Sequence, residues 1–451
     1  MTFTNPVISA PGVDHGDPAV IKYSGKYYLY HTGPFSIPVY ESVDLVNWEK
    51  KGTALEASGS NTHWAQIDLW APEVFYENGV FYMYVTGARK KSDGTADDEK
   101  RSIGVAKAAH PLGPFKLADA PLTSEWSIDA HPFLDEDGEM YMFYNVRNDY
   151  TLGPGEIIGT GNVVDKMEDL ETLAGEPSLV VKPEFLREGN KEGTFFWNEG
   201  PFVLKKDNTY YQMYSAGFFG DDTYGLYYAT SDTIHDKQGY NSPGWVKYKN
   251  GTPILQTNEQ CHGPGHHIIT KAPDGLTDIA VFHGYVPEEQ VQERRVWLGY
   301  MEWQENHLKM DPPSKSVSLS PPFPTKDLRE INDIEKINSS LKNMHAKDFY
   351  FETTLNLRER VSVQLPGVEL ILDSAAQIWK LESQGKQFTG KFKRKADPEP
   401  LHMLQAVQLN GCLKWFLNNL LLCETESGLS AGTIQISGPE YLYGTVFTKM
   451  N

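Results

Sequence analysis

Five times in the first three hundred residues, a Gly, Asn or Asp turn leads into a strand in which aromatic and small side chains alternate. The segments are SGKYYLYHTG (24–33), NGVFYMYVTG (78–87), DGEMYMFYNV (137–146), DNTYYQMYSAG (207–217) and, more weakly, DGLTDIAVFHGY (274–285). A second candidate strand follows each, as in PVYESVDLVNWEKKG (38–52), RSIGVAKAAHPLGPFK (101–116), GNVVDKMEDLETLAG (161–175), YGLYYATSDTIHDKQGYNSPGW (224–245) and RRVWLGYMEWQENHLKM (294–310). Period-two alternation bounded by turn residues predicts antiparallel strands, and the runs are too short and too aromatic for helices. Four short strands in about fifty residues match one blade of a β-propeller, whose radial closure protects the blade edges. Five such units predict a five-bladed β-propeller over residues 1–312.

The rhythm then stops. Residues 313–326 are rich in Pro and Ser and read as a linker or tethering strand, because proline cannot continue a ladder. Beyond them the candidate strands are FYFETTLNL (349–357), VSVQLPGVELILD (361–373), FTGKFKRK (388–395), KWFLNNLLLCET (414–425) and GTIQISG (432–438), with a candidate helix over 327–343. These predict a smaller C-terminal β-sandwich domain, 327–451, and an all-β chain overall.

Composition narrows the class. Aromatic residues reach 12%, which suits sheet packing and also stacking against sugar faces. A formal net charge of −19 repels phosphate backbones and anionic lipid, so neither nucleic acid nor a membrane is expected as partner. Cys261, Cys412 and Cys423 are too few and too scattered for a disulfide framework or a zinc site. The N-terminal MTFTNPVISAPG lacks a basic region followed by an apolar run, so a cytoplasmic location is expected.

Most of the 60 acidic residues must be solvated surface. Three are not in surface-like contexts. Asp17 (HGDPAVIKYSGKYYLY), Asp129 (WSIDAHPFLDEDGEMYMFY) and Glu199 (FFWNEGPFVLKKDNTYYQMY) each precede an apolar strand, with a proline close behind. Similar places in the first, third and fourth units would gather them about one axis, where the second unit offers Trp70 and Glu73 instead. Clustered carboxylates split one another's pKa values. Glycosidic hydrolysis needs that splitting: one carboxyl protonated for the leaving group, one ionised to act on water.

These segments, with SVDLVNWEKKG, DLWAPEVFYENGVFYMYVTG and GPGHHIITKAPDG, resemble glycoside hydrolase family 43, the arabinofuranosidases, β-xylosidases and arabinanases. The resemblance implies an inverting enzyme in which Asp17 is the general base, Glu199 the general acid, and Asp129 the group that orients the acid and keeps it protonated near neutral pH. Propeller hydrolases acting on fructosides resemble it less, since they carry Arg-Asp-Pro and Glu-Cys where this chain has Ile-Asp-Ala and Glu-Gly-Pro. The resemblance further implies Trp70 as a sugar-stacking wall and Phe35 at the rim, with His63, Trp64, Gln66 and Asp68 shaping the loop before Trp70. It implies His266 near the axis as a substrate or metal contact, and an arginine from the RRVWLGYMEW strand, here Arg295, reaching the substrate. No cofactor is required by the reaction, and a structural calcium or sodium ion near the axis is a candidate. The expected substrate is a small arabinose- or xylose-containing oligosaccharide in a deep pocket closed at one end. The alternatives are an endo-acting arabinanase-type hydrolase and a non-catalytic sugar-binding propeller.

Overall fold

The computed structural model describes residues 1–147, 159–234, 245–289, 292–344, 346–426, 432–439 and 442–450. The end of the fourth repeated segment, 235–244, lies outside them. The chain is all-β, of the β-propeller type. Five antiparallel sheets follow one another in sequence, each laid out from its first strand outwards. Their innermost strands are Ala19–Tyr23, Ile67–Glu77, Ser127–Leu134, Asn198–Lys206 and His262–Lys271. Each innermost strand packs against the next, and the fifth returns to the first, so the strands form a closed ring.

The alternating aromatics explain why the sheets stack. Tyr27, Leu29 and Tyr40 point into one interface between neighbouring sheets, and Tyr28, Tyr30 and Val39 into the other. The innermost hairpins turn in two residues, Ser24-Gly25 and Asn78-Gly79, all four with positive φ. That backbone matches the strand twist, as the sequence signal indicates.

The ring is fastened by the N-terminal segment. The Val7 N–H donates to Val296 O, the Val296 N–H to Ile8 O and the His15 N–H to Arg294 O. The Asn5 side chain bonds both backbone groups of Leu298. The segment read as a linker is partly structured: Ser318–Leu319 pairs with Thr2–Phe3.

The C-terminal part holds a six-stranded and a five-stranded sheet about one core that includes Phe351, Leu370 and Trp415. The predicted helix is shorter, Ile334–Ser340, and begins where the Asp333 carboxylate accepts from the Glu335 and Lys336 N–H groups. This part meets the turns at the far end of the innermost strands. The Lys22 ammonium pairs with Glu352 at 2.8 Å, Arg394 with Glu77 at 2.8 Å, and Tyr76 Oη donates to Leu401 O. No helix of the described residues is long and apolar enough to cross a membrane.

Candidate active site

Each innermost strand carries a residue with positive φ near its start: Asp17 (56°), Ala71 (43°), Asp129 (59°), Gly200 (55°) and His266 (44°). The left-handed residue bends the strand so that its neighbours face the ring axis, a strained arrangement for any residue but glycine. Asp17 and Asp129 occupy this position itself. Glu199 stands one residue earlier, level with Trp70, so the three acids are not at strictly equivalent places. The next residues outward that face the axis are Asp14, Asp68, Trp126 and Trp197, each two positions before the level of Gly16, Trp70, Ile128 and Glu199.

All three acids, with Trp70, His266 and Arg294, line one cavity of about 1210 Å³. Below the bends it narrows to about 10 Å³, walled by Pro18, Pro72 and Pro201. That is room for barely one water, so the floor is closed, as a pocket requires. Among the described residues none beyond Arg294 lines the cavity.

Asp17 is heavily partnered. Its Oδ2 accepts from Thr32 Oγ1 at 2.5 Å, and Oδ1 accepts from Arg294 Nη1 at 2.8 Å. Thr32 Oγ1 also accepts the Ala71 N–H, which commits the hydroxyl proton to Asp17. Burial works against the Asp17 charge, yet the Arg294 guanidinium overrides it and holds the carboxyl well below the ordinary range. Arg294 is itself clamped by Asp14 through Nε (3.0 Å) and Nη2 (2.6 Å). Gly16 makes room for it: a Cβ there would lie 1.8 Å from Arg294 Cζ.

The other two acids behave oppositely. Burial, then the charges of Glu199 and Asp17, push Asp129 well above the ordinary range, against an N–H bond from Gly200 at 3.0 Å. Burial lifts Glu199 to about 7, opposed by the Tyr224 hydroxyl that donates to its Oε1 at 2.6 Å. The pair therefore holds a proton into the neutral range, as a unit rather than on either residue.

Several expected residues sit elsewhere. Arg295 does not reach the cavity; its guanidinium binds Glu289 (2.7 Å), Glu293 (2.9 Å) and the Ala10 and Val13 carbonyls. Its neighbour Arg294 lines the cavity instead, because successive strand residues face opposite ways and the N-terminal segment takes up Arg295. Phe35 is exposed beside the rim, and Gly33, Pro34 and Ser36 line the cavity in its stead. Trp70 does line it, but the Arg101 guanidinium lies 3.5 Å from its ring centroid and covers one face. Trp64 and Gln66 are buried and structural, whereas Asp68 reaches the wall and holds Arg101 at 2.9 Å.

His266 points Nδ1 at Asp17 (3.4 Å) and Asp129 (3.9 Å), and burial lowers its pKa, so it is a neutral neighbour of the acids. A calcium ion takes roughly six to eight oxygen ligands. Among the described residues no group of three or more His, Cys, Asp or Glu side chains is arranged to hold a metal. Thr32, Tyr224, His283, Trp126 and Trp197 were not singled out from sequence. Only the repeat register, carried outward from Glu199 and Ile128, would have found the two tryptophans.

The model of the family described as glycosyl hydrolases family 43 matches residues 3–308. A β-D-galactofuranosidase of Aspergillus niger, xynD, is 27% identical over 318 residues, covering 65% of this chain and 79% of its own. A xylosidase/arabinosidase of Bacteroides ovatus is 30% identical over 260 residues, covering 49% of this chain and 75% of its own. Among solved structures, a thermostable family-43 glycoside hydrolase is 35% identical with a TM-score of 0.61, over 71% of this chain and 99% of that one.

Proposed function

This chain belongs to glycosyl hydrolase family 43, and from that premise we propose that it is an inverting glycosidase releasing arabinofuranose or xylose from small oligosaccharides. Residues 1–312 form the catalytic unit as a five-bladed propeller, one blade per sheet of the ring. Residues 313–326 tether it, and 327–451 form a β-sandwich buttress. The closed ring of innermost strands and the separate two-sheet core support this division.

The chemistry rests on one observation: carboxylates held in opposite protonation states line a single cavity. Asp17, kept ionised by Arg294, accepts a proton from a water that attacks the anomeric carbon. As the new C–O bond forms, the bond to the leaving oxygen breaks, and Glu199 delivers its proton there. Asp129, sharing that buried proton with Glu199, tunes the acid and orients it through the Gly200 N–H. The choice of a pentose follows relatives named as xylosidase/arabinosidase, against the galactofuranosidase.

A nitrophenyl glycoside panel led by α-L-arabinofuranoside and β-D-xyloside tests this. Wild type should release nitrophenol from at least one of them, and Asp17→Ala should release none. Turnover by Asp17→Ala near the wild-type rate would refute the assignment of the base.

A further inference from the structure

The bends that gather the acids also decide where nearby hydroxyl protons go. In four of the five sheets the bend residue's N–H donates to a side chain on, or just past, the second strand of the preceding sheet around the ring. Ala71 donates to Thr32, Asp129 to Thr86, His266 to Ser215 and Asp17 to His283. A hydroxyl that accepts such an N–H is oriented by it, and its own proton must point elsewhere. At Thr32 that proton goes to Asp17, the residue proposed as the base.

Ser215 does the corresponding thing for the acid, through one more group. Its Oγ takes the His266 N–H at 2.8 Å, and its hydroxyl interacts with that of Tyr224. The Tyr224 proton is thereby committed to Glu199 Oε1, at 2.6 Å. Among the described residues nothing else hydrogen-bonds the Glu199 carboxyl, so Oε2 is the oxygen left to the cavity. In a carboxylic acid the carbonyl oxygen is the better acceptor. With Oε1 accepting, the acidic proton lies on Oε2.

The fold is shaped to keep Tyr224 there. The side chain is fully buried, and Gly265 makes room for it: a Cβ at that glycine would lie 2.1 Å from Tyr224 Cε1. The ring lies parallel to that of His283, with centroids 5.7 Å apart and planes at 3°. His283 Nδ1 accepts the Asp17 N–H at 3.1 Å. One stacked pair therefore touches the acid at one end and the backbone of the base at the other. Asp17, Asp129 and Arg294 act on Glu199 through charge, and burial keeps His266 and His283 neutral.

Resting on the hydrolase reading above, we infer that Tyr224 is a positioning residue for the acid: its hydroxyl reserves Oε1, presents the Glu199 proton on Oε2, and through the His283 stack holds acid and base in register. A second effect goes with this. A donor to a carboxyl stabilises the carboxylate, so Tyr224 makes Glu199 a stronger acid than burial alone would leave it.

Tyr224→Phe keeps the ring and its stack and removes the donor. On an alkyl glycoside, a poor leaving group, kcat should fall about 10–100-fold with KM within about twofold. On a dinitrophenyl glycoside, which needs little protonation, the fall should stay under about threefold. The alkaline limb of kcat/KM should move up by about one pH unit, because the buried pair gives up its proton less readily. 3-Fluorotyrosine at position 224 is a stronger donor of nearly the same shape. It should move the limb down, and it keeps the test open should Tyr224→Phe fold poorly. The inference is overturned if both substrates slow equally, if the limb stays in place in both proteins, or if the loss lies in KM. Carbon-13 NMR titration of the glutamate carboxyls, with Glu199→Gln to assign the signal, reads the same shift without turnover. A wild type that hydrolyses no glycoside while this signal still moves would refute the hydrolase reading and leave the Tyr224–Glu199 link standing. An unmoved signal in Tyr224→Phe would sink the inference itself.

Discussion

At the scale of single residues, the site works by holding like groups in unlike states. Asp17 and Glu199 are both buried carboxyls, and the difference is Arg294, which touches only the first. The pH dependence follows. With Asp17 ionised well below its ordinary 3.8, the acid limb of kcat/KM should lie below that pH, and the alkaline limb near 7, where the Glu199–Asp129 pair loses its shared proton. Stability carries a matching sign. A carboxyl whose pKa is raised by folding binds more protons in the native state, so stability falls as pH rises from about 4.5 to about 7. Glu199→Gln removes that penalty. It should raise Tm more at pH 8 than at pH 5 and lower kcat about 10²–10⁴-fold on poor leaving groups, far less on activated ones. Melting curves at the two pH values and a leaving-group series check both halves. The three acids were legible in sequence because each stood out against an apolar strand start. Arg294 was not, since alternation says that two neighbouring arginines face opposite ways without saying which faces inward. That choice was made by Glu289, Glu293 and the N-terminal carbonyls, none of them near in any sequence pattern.

At the scale of elements, the bend near the start of each innermost strand matters most. It recurs in all five sheets with four residue types, Asp, Ala, Gly and His, so it belongs to the strand geometry and not to one side chain. Gly200 shows its cost. A Cβ there would sit at φ 55° and 3.2 Å from His266 Nδ1. Gly200→Ala should destabilise the protein by about 1–2 kcal/mol in urea unfolding and, by shifting the N–H that holds Asp129, lower activity as well. The repeat made these strands readable, because five copies of turn and aromatic strand reinforce one another. The C-terminal strands had no such help. The runs read as 361–373 and 414–425 are each a hairpin, Val361–Leu365 with Val368–Asp373 and Cys412–Leu417 with Leu420–Glu426. Their two-residue turns, Pro366-Gly367 and Asn418-Asn419, carry turn residues but leave the alternation in phase, so each hairpin reads as one run. The strands Leu401–Leu409 and Leu442–Lys449 were missed; both pair with the distant Phe349–Asn356, and Leu401–Leu409 also with the adjacent Cys412–Leu417.

At the scale of the whole molecule, closure is the organising constraint. The sheets are consecutive, so the fifth must be joined to the first by something, and residues 5–15 do this by pairing with the strand that carries both arginines. The same segment supplies Asp14 and leads directly into Asp17, which couples ring closure to the carboxylate proposed as the base. Removing residues 1–13 should cost on the order of 5 kcal/mol, from several lost hydrogen bonds and the uncovering of Phe3 and Ile8. A Tm drop should be accompanied by reduced activity at temperatures where the truncated chain is still folded, because Asp14, the clamp on Arg294, then loses the pairing of Val7 and Ile8 with Val296 that anchors it. The C-terminal sheets pack against the opposite end of the innermost strands, and none of their described residues lines the cavity. The central claim is that Asp17 and Glu199 act on opposite faces of one sugar through a single displacement. Proton NMR of the sugar first released from a nitrophenyl glycoside tests it most directly. The account predicts that the initial anomer is inverted relative to the substrate, before mutarotation. A first product of retained configuration would mean a covalent intermediate and would contradict the roles given to both residues.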